Sequence, residues 1–331
     1  MNLYPWLITY YNNIIYQFDK CKRNYSIILE AYKGIGITLL AKNIGLWLLC
    51  SHRNKKILHC QKCQNCQLMY AQAHPDWYNV THSSNTNIIG IDTIRQLCSQ
   101  IVKTSKKNGN KVIYFSNASQ LTEHSINALL KILEEPPENT YFIFINYYPF
   151  SLLSTLRSRC ILYKIPMPLE HISINWLKKN NIKIKQNTFK TALRINNGAP
   201  ICAKNFIFKS LWKKRSTFYR NLRYSIINQN FLYMLNDFSL GDVENKIFWI
   251  CSLLFDSIKI KYNYKNHITN LDKIDIIKDL EKKYSFYSLD ESLRSWMRCN
   301  EKLTNISGIN VELLLSAQLL RWGNILKFHE N

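Results

Sequence analysis

The stretch that decides the fold is residues 26–40, SIILEAYKGIGITLL, in which a short apolar run is followed by two glycines and a helical pattern. Phosphate-binding loops lie between a strand and a helix in this way and have the form G-x-x-x-x-G-K-[ST], with a lysine that reaches the β- and γ-phosphates. Gly36 and Thr38 occupy the positions of the second glycine and of the Ser/Thr in that motif, but Ile37 occupies the lysine position. By itself the stretch fits either an ATPase whose lysine is missing or a loop that never bound a nucleotide.

Apolar strands alternate with helical patterns on both sides of this stretch. Strands are predicted at 26–31, 76–80, 111–116 and 140–146, and helices at 37–50, 90–102 (with Asp92 as its cap) and 122–135. In the last helix Thr122 is the predicted cap, and one apolar stripe is formed by Ile126, Leu129, Leu130 and Leu133. The alternation predicts an α/β domain whose parallel sheet is covered on both faces.

The strand at 111–116 ends without the acidic residues that would hold Mg²⁺ in a nucleotide hydrolase. Ser116 and Asn117 stand there, and neither side chain carries the negative charge that Mg²⁺ binding requires. This second loss, added to that of the lysine, predicts a chain that hydrolyses no nucleotide. The segment Gly34, Gly36, Ile37, Thr38 is then a degenerate phosphate loop.

Four of the ten cysteines form a C-x9-C-x2-C-x2-C pattern: Cys50, Cys60, Cys63 and Cys66. Four thiolates at such spacing can surround Zn²⁺ and leave no open position for water, which predicts a structural metal site. A redox motif would use one C-x-x-C pair, and an iron–sulfur cluster is the remaining alternative. His52 and His59 are predicted at the surface. The other six cysteines are predicted to be small buried apolar side chains: Cys21, Cys98, Cys160, Cys202, Cys251 and Cys299.

The composition is that of a globular protein with a strongly basic balance. The 331 residues are 47% hydrophobic, and the formal net charge is +22. Nucleic acid is one partner that such a charge fits, but a coding bias toward Ile, Asn, Lys and Tyr would also add scattered lysines. No apolar run has the length of a membrane span, and the first residues lack the features of a secretory signal, so a cytoplasmic location is expected.

Five motifs occur in a fixed order along the chain: YPWL (4–7), the cysteine cluster, AHPDWY (73–78), NALLKILEEPP (127–137) and LRSRC (156–160). Together they resemble the δ′ subunits of bacterial DNA polymerase III clamp loaders, which are AAA+ proteins. The resemblance implies an AAA+-type α/β domain over 1–165 that carries the zinc module at 50–66. A small helical lid over 166–207 and a helical collar domain over 208–331 would follow.

The resemblance also assigns a role to the triplet Ser158, Arg159, Cys160. In the family this arginine reaches across a subunit interface toward ATP that the next subunit binds, as an arginine finger. An active lid would carry a nucleotide-sensing arginine where Ile201 and Cys202 stand. This is the third residue for nucleotide binding that is missing, after the lysine and the carboxylates.

The partners that the resemblance implies are the γ/τ ATPase subunits and the δ subunit in a hetero-pentamer, with the β sliding clamp and primed DNA reached through the complex. The chain would belong to a DNA-directed DNA polymerase, a nucleotidyltransferase, without being an enzyme alone. Two alternatives are an active γ/τ-type ATPase and a zinc-stabilised nucleic-acid-binding protein.

In the last predicted helix, capped by Asn310, one mostly apolar face is formed by Val311, Leu314, Leu315, Gln318, Leu319, Trp322, Ile325 and Leu326.

Overall fold

The computed structural model describes residues 3–20, 26–53, 59–81, 87–102, 105, 107, 109–150, 152–179, 184–239, 241–306 and 308–328. The chain forms two compact units, residues 1–172 and 173–331. The finer division into three domains at 165 and 207 stays a prediction. No helix in the described ranges is both long enough and apolar enough to cross a membrane.

The first unit contains a five-stranded sheet in which every neighbouring pair of strands is parallel. Its strands are β1 (Ser26–Ala31), β2 (Trp77–Val80), β3 (Lys111–Phe115), β4 (Thr140–Tyr147) and β5 (Ile161–Ile165), and their order across the sheet is β2-β3-β4-β1-β5. The four predicted strands are confirmed. β5 was not predicted, because this edge strand is mostly exposed or half-buried and lacks a continuous apolar run.

Helices cover both faces of the sheet, as predicted. They are α1 (Ile8–Lys20), α2 (Ile37–Leu49), α3 (Gln64–Tyr70), α4 (Ile91–Ile101), α5 (Glu123–Glu134) and α6 (Ser154–Arg157). Successive strand side chains point to opposite faces. In β4, Ile143 and Ile145 therefore pack with α1 and α2 in an α2-side cluster. Phe142 and Phe144 pack with α4, α5 and α6 in an α5-side cluster.

Of the two helix caps predicted in the first unit, one is confirmed and the other is wrong. The Thr122 hydroxyl accepts a hydrogen bond from the Ser125 N–H at 3.1 Å and so caps α5. The cap position of α4 is Gly90, so Asp92 lies within the first turn, where its carboxylate is 3.7 Å from the Arg95 guanidinium. A carboxylate in that turn still interacts favourably with the positive end of the helix.

The second unit is helical throughout its described residues, as predicted for the C-terminal region. Its α-helices are α7 (Glu170–Lys179), whose first turn belongs to the first unit, α8 (Gln186–Ile195), α9 (Pro200–Phe208), α10 (Leu211–Ile227), α11 (Leu235–Ser239), α12 (Val243–Lys261), α13 (Ile274–Lys283), α14 (Phe286–Asn305) and α15 (Val311–Phe328). Asn310 caps α15 by accepting from the Leu313 N–H at 3.1 Å. Most of the predicted face of α15 is buried; the exceptions are Val311, which is 39% exposed, and Leu314, which is half-buried.

Buried polar side chains of the helical unit form hydrogen bonds with one another at two places. Gln318 on α15 and Ser295 on α14 exchange hydrogen bonds at 2.9 and 3.1 Å. Arg215 on α10 is fully buried and donates to Asp272 at 2.8 and 3.0 Å and to Asn270 at 2.6 Å. A buried guanidinium requires such partners, because an unpaired charge in the interior is very costly.

Candidate functional site

The loop after β1 turns through two glycines with positive φ, 87° at Gly34 and 96° at Gly36. Residues other than glycine are strained at positive φ, because their Cβ atom clashes with the backbone. Gly36 is the N-cap of α2, and its carbonyl accepts from the N–H groups of Leu39 and Leu40 at 3.0 and 3.3 Å. The glycines therefore turn the strand into the helix whether or not a phosphate is present.

The side chain at the lysine position points into the protein. Ile37 is 1% exposed and belongs to the α2-side cluster together with Ile35, which is fully buried. The Trp6 indole donates to the Ile35 carbonyl at 2.9 Å. The exposed Thr38 hydroxyl lies 3.2 Å from the hydroxyl of Tyr147, at the end of β4. Apolar packing thus uses the position from which a lysine would reach a phosphate.

The residue after β3 also has a local structural use. The Asn117 side chain accepts from the Ser119 N–H at 3.3 Å and from its hydroxyl at 2.9 Å, and so caps the short 3-10 helix Ala118–Gln120. An amide oxygen bound in this way closes a turn and brings no negative charge to the carboxyl edge of the sheet. In the second unit, Ile201 and Cys202 are half-buried on α9.

Arg159 follows α6 and is held by an acidic side chain from another helix. Its Nε donates to Glu134 Oε1 at 2.6 Å, and its Nη2 donates to the same oxygen. Its Nη1 donates to the Thr155 carbonyl at 3.1 Å and to the Ser158 hydroxyl at 3.2 Å. The arginine side chain is 30% exposed, so the guanidinium lies at the surface in a defined orientation.

Sequence reasoning missed both carboxylates that contact the arginines of this motif. Glu134 contacts Arg159, and Glu30, which is 3% exposed at the end of β1, lies 3.9 Å from Arg157. Glu30 also accepts from Asn146 at 2.8 Å and from Tyr148 at 2.9 Å. A charged residue inside an apolar strand was the available signal for Glu30, because buried carboxylates require partners.

The four cysteines of the predicted metal site come together as predicted. Their Sγ atoms all lie within 4.8 Å of one another, with Cys50 and Cys63 at 3.9 Å and Cys60 and Cys66 at 4.0 Å. A tetrahedral Zn²⁺ with bonds of about 2.3 Å sets its sulfurs about 3.8 Å apart. The cluster therefore has the donor set and nearly the dimensions for a four-coordinate metal ion. Part of the predicted module, residues 54–58, lies outside the described residues.

Backbone N–H groups already point at these sulfurs. Cys50, Cys60 and Cys63 each accept one, from Cys60, Cys63 and Cys66, at 3.3, 3.3 and 3.4 Å. Burial opposes ionisation of Cys63, but N–H donation from Cys66 and Ser51, together with hydrogen bonds to the Cys60 and Cys66 thiols, outweighs it and lowers the pKa of the Cys63 thiol to about 6. Burial raises the pKa of Cys50 and Cys66. The Cys63 thiol is thus prepared as a thiolate, whereas those of Cys50 and Cys66 require a cation to release their protons.

The prediction that His59 is a surface residue is wrong. His59 is 4% exposed, and its Nε2 lies 2.9 Å from the Tyr70 hydroxyl on α3, whereas His52 is exposed as predicted. The ring lies against Tyr70 of α3, and a contact of this kind leaves no signal in the local sequence. Of the isolated cysteines, Cys299 is buried and Cys98, Cys160, Cys202 and Cys251 are half-buried, while Cys21 lies outside the described residues.

The first unit is a parallel α/β sheet with a glycine turn after an interior strand, as in proteins with a phosphate-binding loop, and an all-helical region follows it in the described residues. A family model described as DNA polymerase III, delta subunit, matches residues 9–168, and a model for the C-terminal part of that subunit matches residues 209–324. Together with full-length relatives named DNA polymerase III subunit delta', one of them 45% identical, these matches show that the chain belongs to the family of DNA polymerase III δ′ subunits, as the motifs predicted.

Curated relatives support the same family over the whole length. The DNA polymerase III subunit delta' of Buchnera aphidicola subsp. Acyrthosiphon pisum is 45% identical over 99% of this chain and 100% of its own length. The protein of that name from Escherichia coli K12 is 30% identical, over 97% of this chain and 95% of its own length. The DNA polymerase III subunit gamma of Buchnera aphidicola subsp. Schizaphis graminum is 32% identical over 54% of this chain and 48% of its own.

Proposed function

We propose that this chain is a clamp-loader subunit that hydrolyses no ATP itself and supplies Arg159 to ATP bound by a neighbouring subunit. It would assemble with γ/τ ATPase subunits and a δ subunit in a hetero-pentamer that loads the β sliding clamp onto primed DNA. The lid at 166–207 and the collar at 208–331 would join the α/β domain in that assembly. The family membership supports this proposal. The specific roles are supported by the charges that are absent at positions 37 and 117 and by the guanidinium of Arg159.

The observation that carries the proposal is the burial of Ile37. A phosphate-loop lysine must place its ammonium beside the β- and γ-phosphates, but this side chain is 1% exposed within an apolar cluster. Asn117, which caps a turn, supplies no carboxylate for Mg²⁺. Both charges that a hydrolytic site needs are therefore missing from the positions where the chain would supply them.

Arg159 has the chemistry for action across an interface. A guanidinium is planar, permanently charged and able to bind phosphate oxygens through two parallel N–H groups. Here it is partly exposed and oriented by Glu134, Thr155 and Ser158. Cys160 follows it as a half-buried residue whose pKa is raised by burial to about 12, so its thiol stays neutral beside the arginine.

The four cysteines would hold a structural Zn²⁺. The ion would neutralise buried thiolates and tie the end of α2, at Cys50, to the start of α3, where Cys63 is the N-cap. Asn65 strengthens the same junction by donating to the Leu49 carbonyl at 2.9 Å. With four protein ligands the metal has no position for substrate, so its contribution is to folding.

The test uses the reconstituted loader with substitutions in this chain alone. Arg159→Ala should leave assembly intact and slow hydrolysis at the adjoining ATP site by about 10³–10⁵-fold, the range known for arginine fingers. Arg159→Lys should not restore the rate, because an ammonium lacks the planar fork. Arg95→Ala is the matched control, since Arg95 is an exposed arginine that contacts Asp92 on α4. Normal DNA-stimulated turnover with Arg159→Ala would refute the finger, and micromolar ATP binding by the isolated chain would favour an active ATPase.

A further inference from the structure

The guanidinium of Arg159 is almost fully engaged within its own chain. Arginine has five N–H groups, and four hydrogen bonds are formed here: two to Glu134, one to Thr155 and one to Ser158. A bidentate contact with a phosphate needs two N–H groups on one edge of the guanidinium. At least one of the present bonds must therefore open before Arg159 can bind a phosphate in that way.

Glu134 stands at a position where helix electrostatics disfavours an acid. It is the last residue of α5, and the exposed carbonyls at a helix C-terminus favour cations over carboxylates. Glutamate is a good helix former, so helix propensity allows it here, but the helix terminus does not favour its charge. Its contact with Arg159, 25 residues further along the chain, offsets the unfavourable placement.

Both partners are mounted on well-packed backbone. Leu133 precedes Glu134 and is 6% exposed, and Leu156 in α6 is fully buried; both belong to the α5-side cluster. The two backbones are therefore fixed relative to each other, and the ion pair can open through side-chain rotation alone. Arg159 can therefore exchange the Glu134 carboxylate for another anion without any rearrangement of the fold.

We propose that Glu134 is a positioning residue that holds Arg159 in the absence of ATP and competes with the phosphate for it. The inference rests on the arginine-finger function proposed above. An incoming γ-phosphate would take over the Nε and Nη2 edge, and the Glu134 carboxylate would rotate toward solvent, where it is already 49% exposed. The neighbouring site then binds ATP less tightly than an unrestrained arginine would allow, because part of the binding energy breaks the ion pair.

Glu134→Gln is the informative variant, since it removes the charge and keeps the size of the side chain. In the reconstituted loader it should lower the ATP concentration for half-maximal turnover by about two- to fivefold, the range expected from losing an exposed ion pair. The maximal rate should stay unchanged, because the pair opens on binding, before the chemical step. Glu135→Gln is the matched control, since it removes an adjacent charge on an exposed side chain that does not hold the guanidinium.

A double variant separates positioning from general destabilisation. In the Arg159→Ala background Glu134→Gln should have no effect on the ATP dependence, because Glu134 would act only through that arginine. An equal shift in both backgrounds, no shift at all, or a fall in the maximal rate would overturn the proposal for Glu134 while leaving the finger in place. An Arg159→Ala loader with normal turnover would instead refute the finger itself.

Discussion

Restoring a lysine at position 37 tests whether the phosphate loop has lost its nucleotide function. Ile37 is 1% exposed, packs in the α2-side cluster and is the first residue of α2. Ile37→Lys would place an ammonium in an apolar environment at the positive end of a helix, with no phosphate to compensate it. We expect the variant to be less stable and to hydrolyse no ATP, because Asn117 still supplies no carboxylate.

The magnitude follows from the burial of that side chain. Burial lowers a lysine pKa from about 10.4, by as much as 3–5 units when it is complete. A shift of about 2–3 units costs about 3–4 kcal/mol at pH 7, at roughly 1.4 kcal/mol per unit. Ile37→Met is the matched control, since it is unbranched and uncharged and should cost less than about 1.5 kcal/mol. The free energies of unfolding of the two variants should therefore differ by about 3 kcal/mol at neutral pH.

The pH dependence distinguishes a buried charge from poor packing. The folded-state pKa is the lower one, so the unfolded chain binds more protons between the two pKa values and stability rises with pH there. The difference in the free energy of unfolding between the lysine and methionine variants should have its full value at about pH 7 and should disappear between about pH 8 and 10. This difference is measured by urea unfolding of the zinc-saturated protein, followed by circular dichroism, at each pH. Equal stability of the two variants at neutral pH, together with ATP binding by the lysine variant, would refute the reasoning.

Two further predictions concern the metal and the helical unit. Cys63→Ser removes one of four ligands, so the bound zinc measured by mass spectrometry and the melting temperature should both fall, and added zinc should not restore the melting temperature; unchanged zinc content would contradict a four-cysteine site. Arg215→Ala leaves Asp272 without its buried partner and should destabilise the chain by about 3–5 kcal/mol in urea unfolding. Arg223→Ala, which breaks an exposed pair with Asp279, should cost no more than about 1 kcal/mol, and similar losses for both would contradict the distinction.

Much of the first unit was predictable because its signals are local. Four strands, the helices after β1, β2 and β3, the Thr122 cap and the grouping of the four cysteines all follow from patterns a few residues long. The errors arose where a local signal was absent or ambiguous. β5 is an edge strand with few buried side chains, and Asp92 is one of the residue types that serve either as a cap or in a first turn.

The candidate site was only partly predictable, because its main contacts join distant residues. Arg159 was identified by its motif, but its partner Glu134 lies on another helix, and Glu30 reaches Arg157 from the end of β1. Asn117 could be recognised as an absent carboxylate, whereas its use as a cap depends on the turn that follows. His59 was misplaced for the same reason, since its ring lies against Tyr70 of α3.

By itself the sequence determined the class of fold, the cysteine set and the family, because periodicity, ligand spacing and motif order are properties of the chain. Only the tertiary structure decided that Ile37 is buried in a core cluster and that Arg159 is held by Glu134. A residue type shows that a charge is missing or present, but whether that position faces the core, the solvent or an opposite charge depends on which segments pack around it. The absence of a lysine at position 37 is therefore visible in the sequence, and the apolar packing that uses this position is visible only in the tertiary structure.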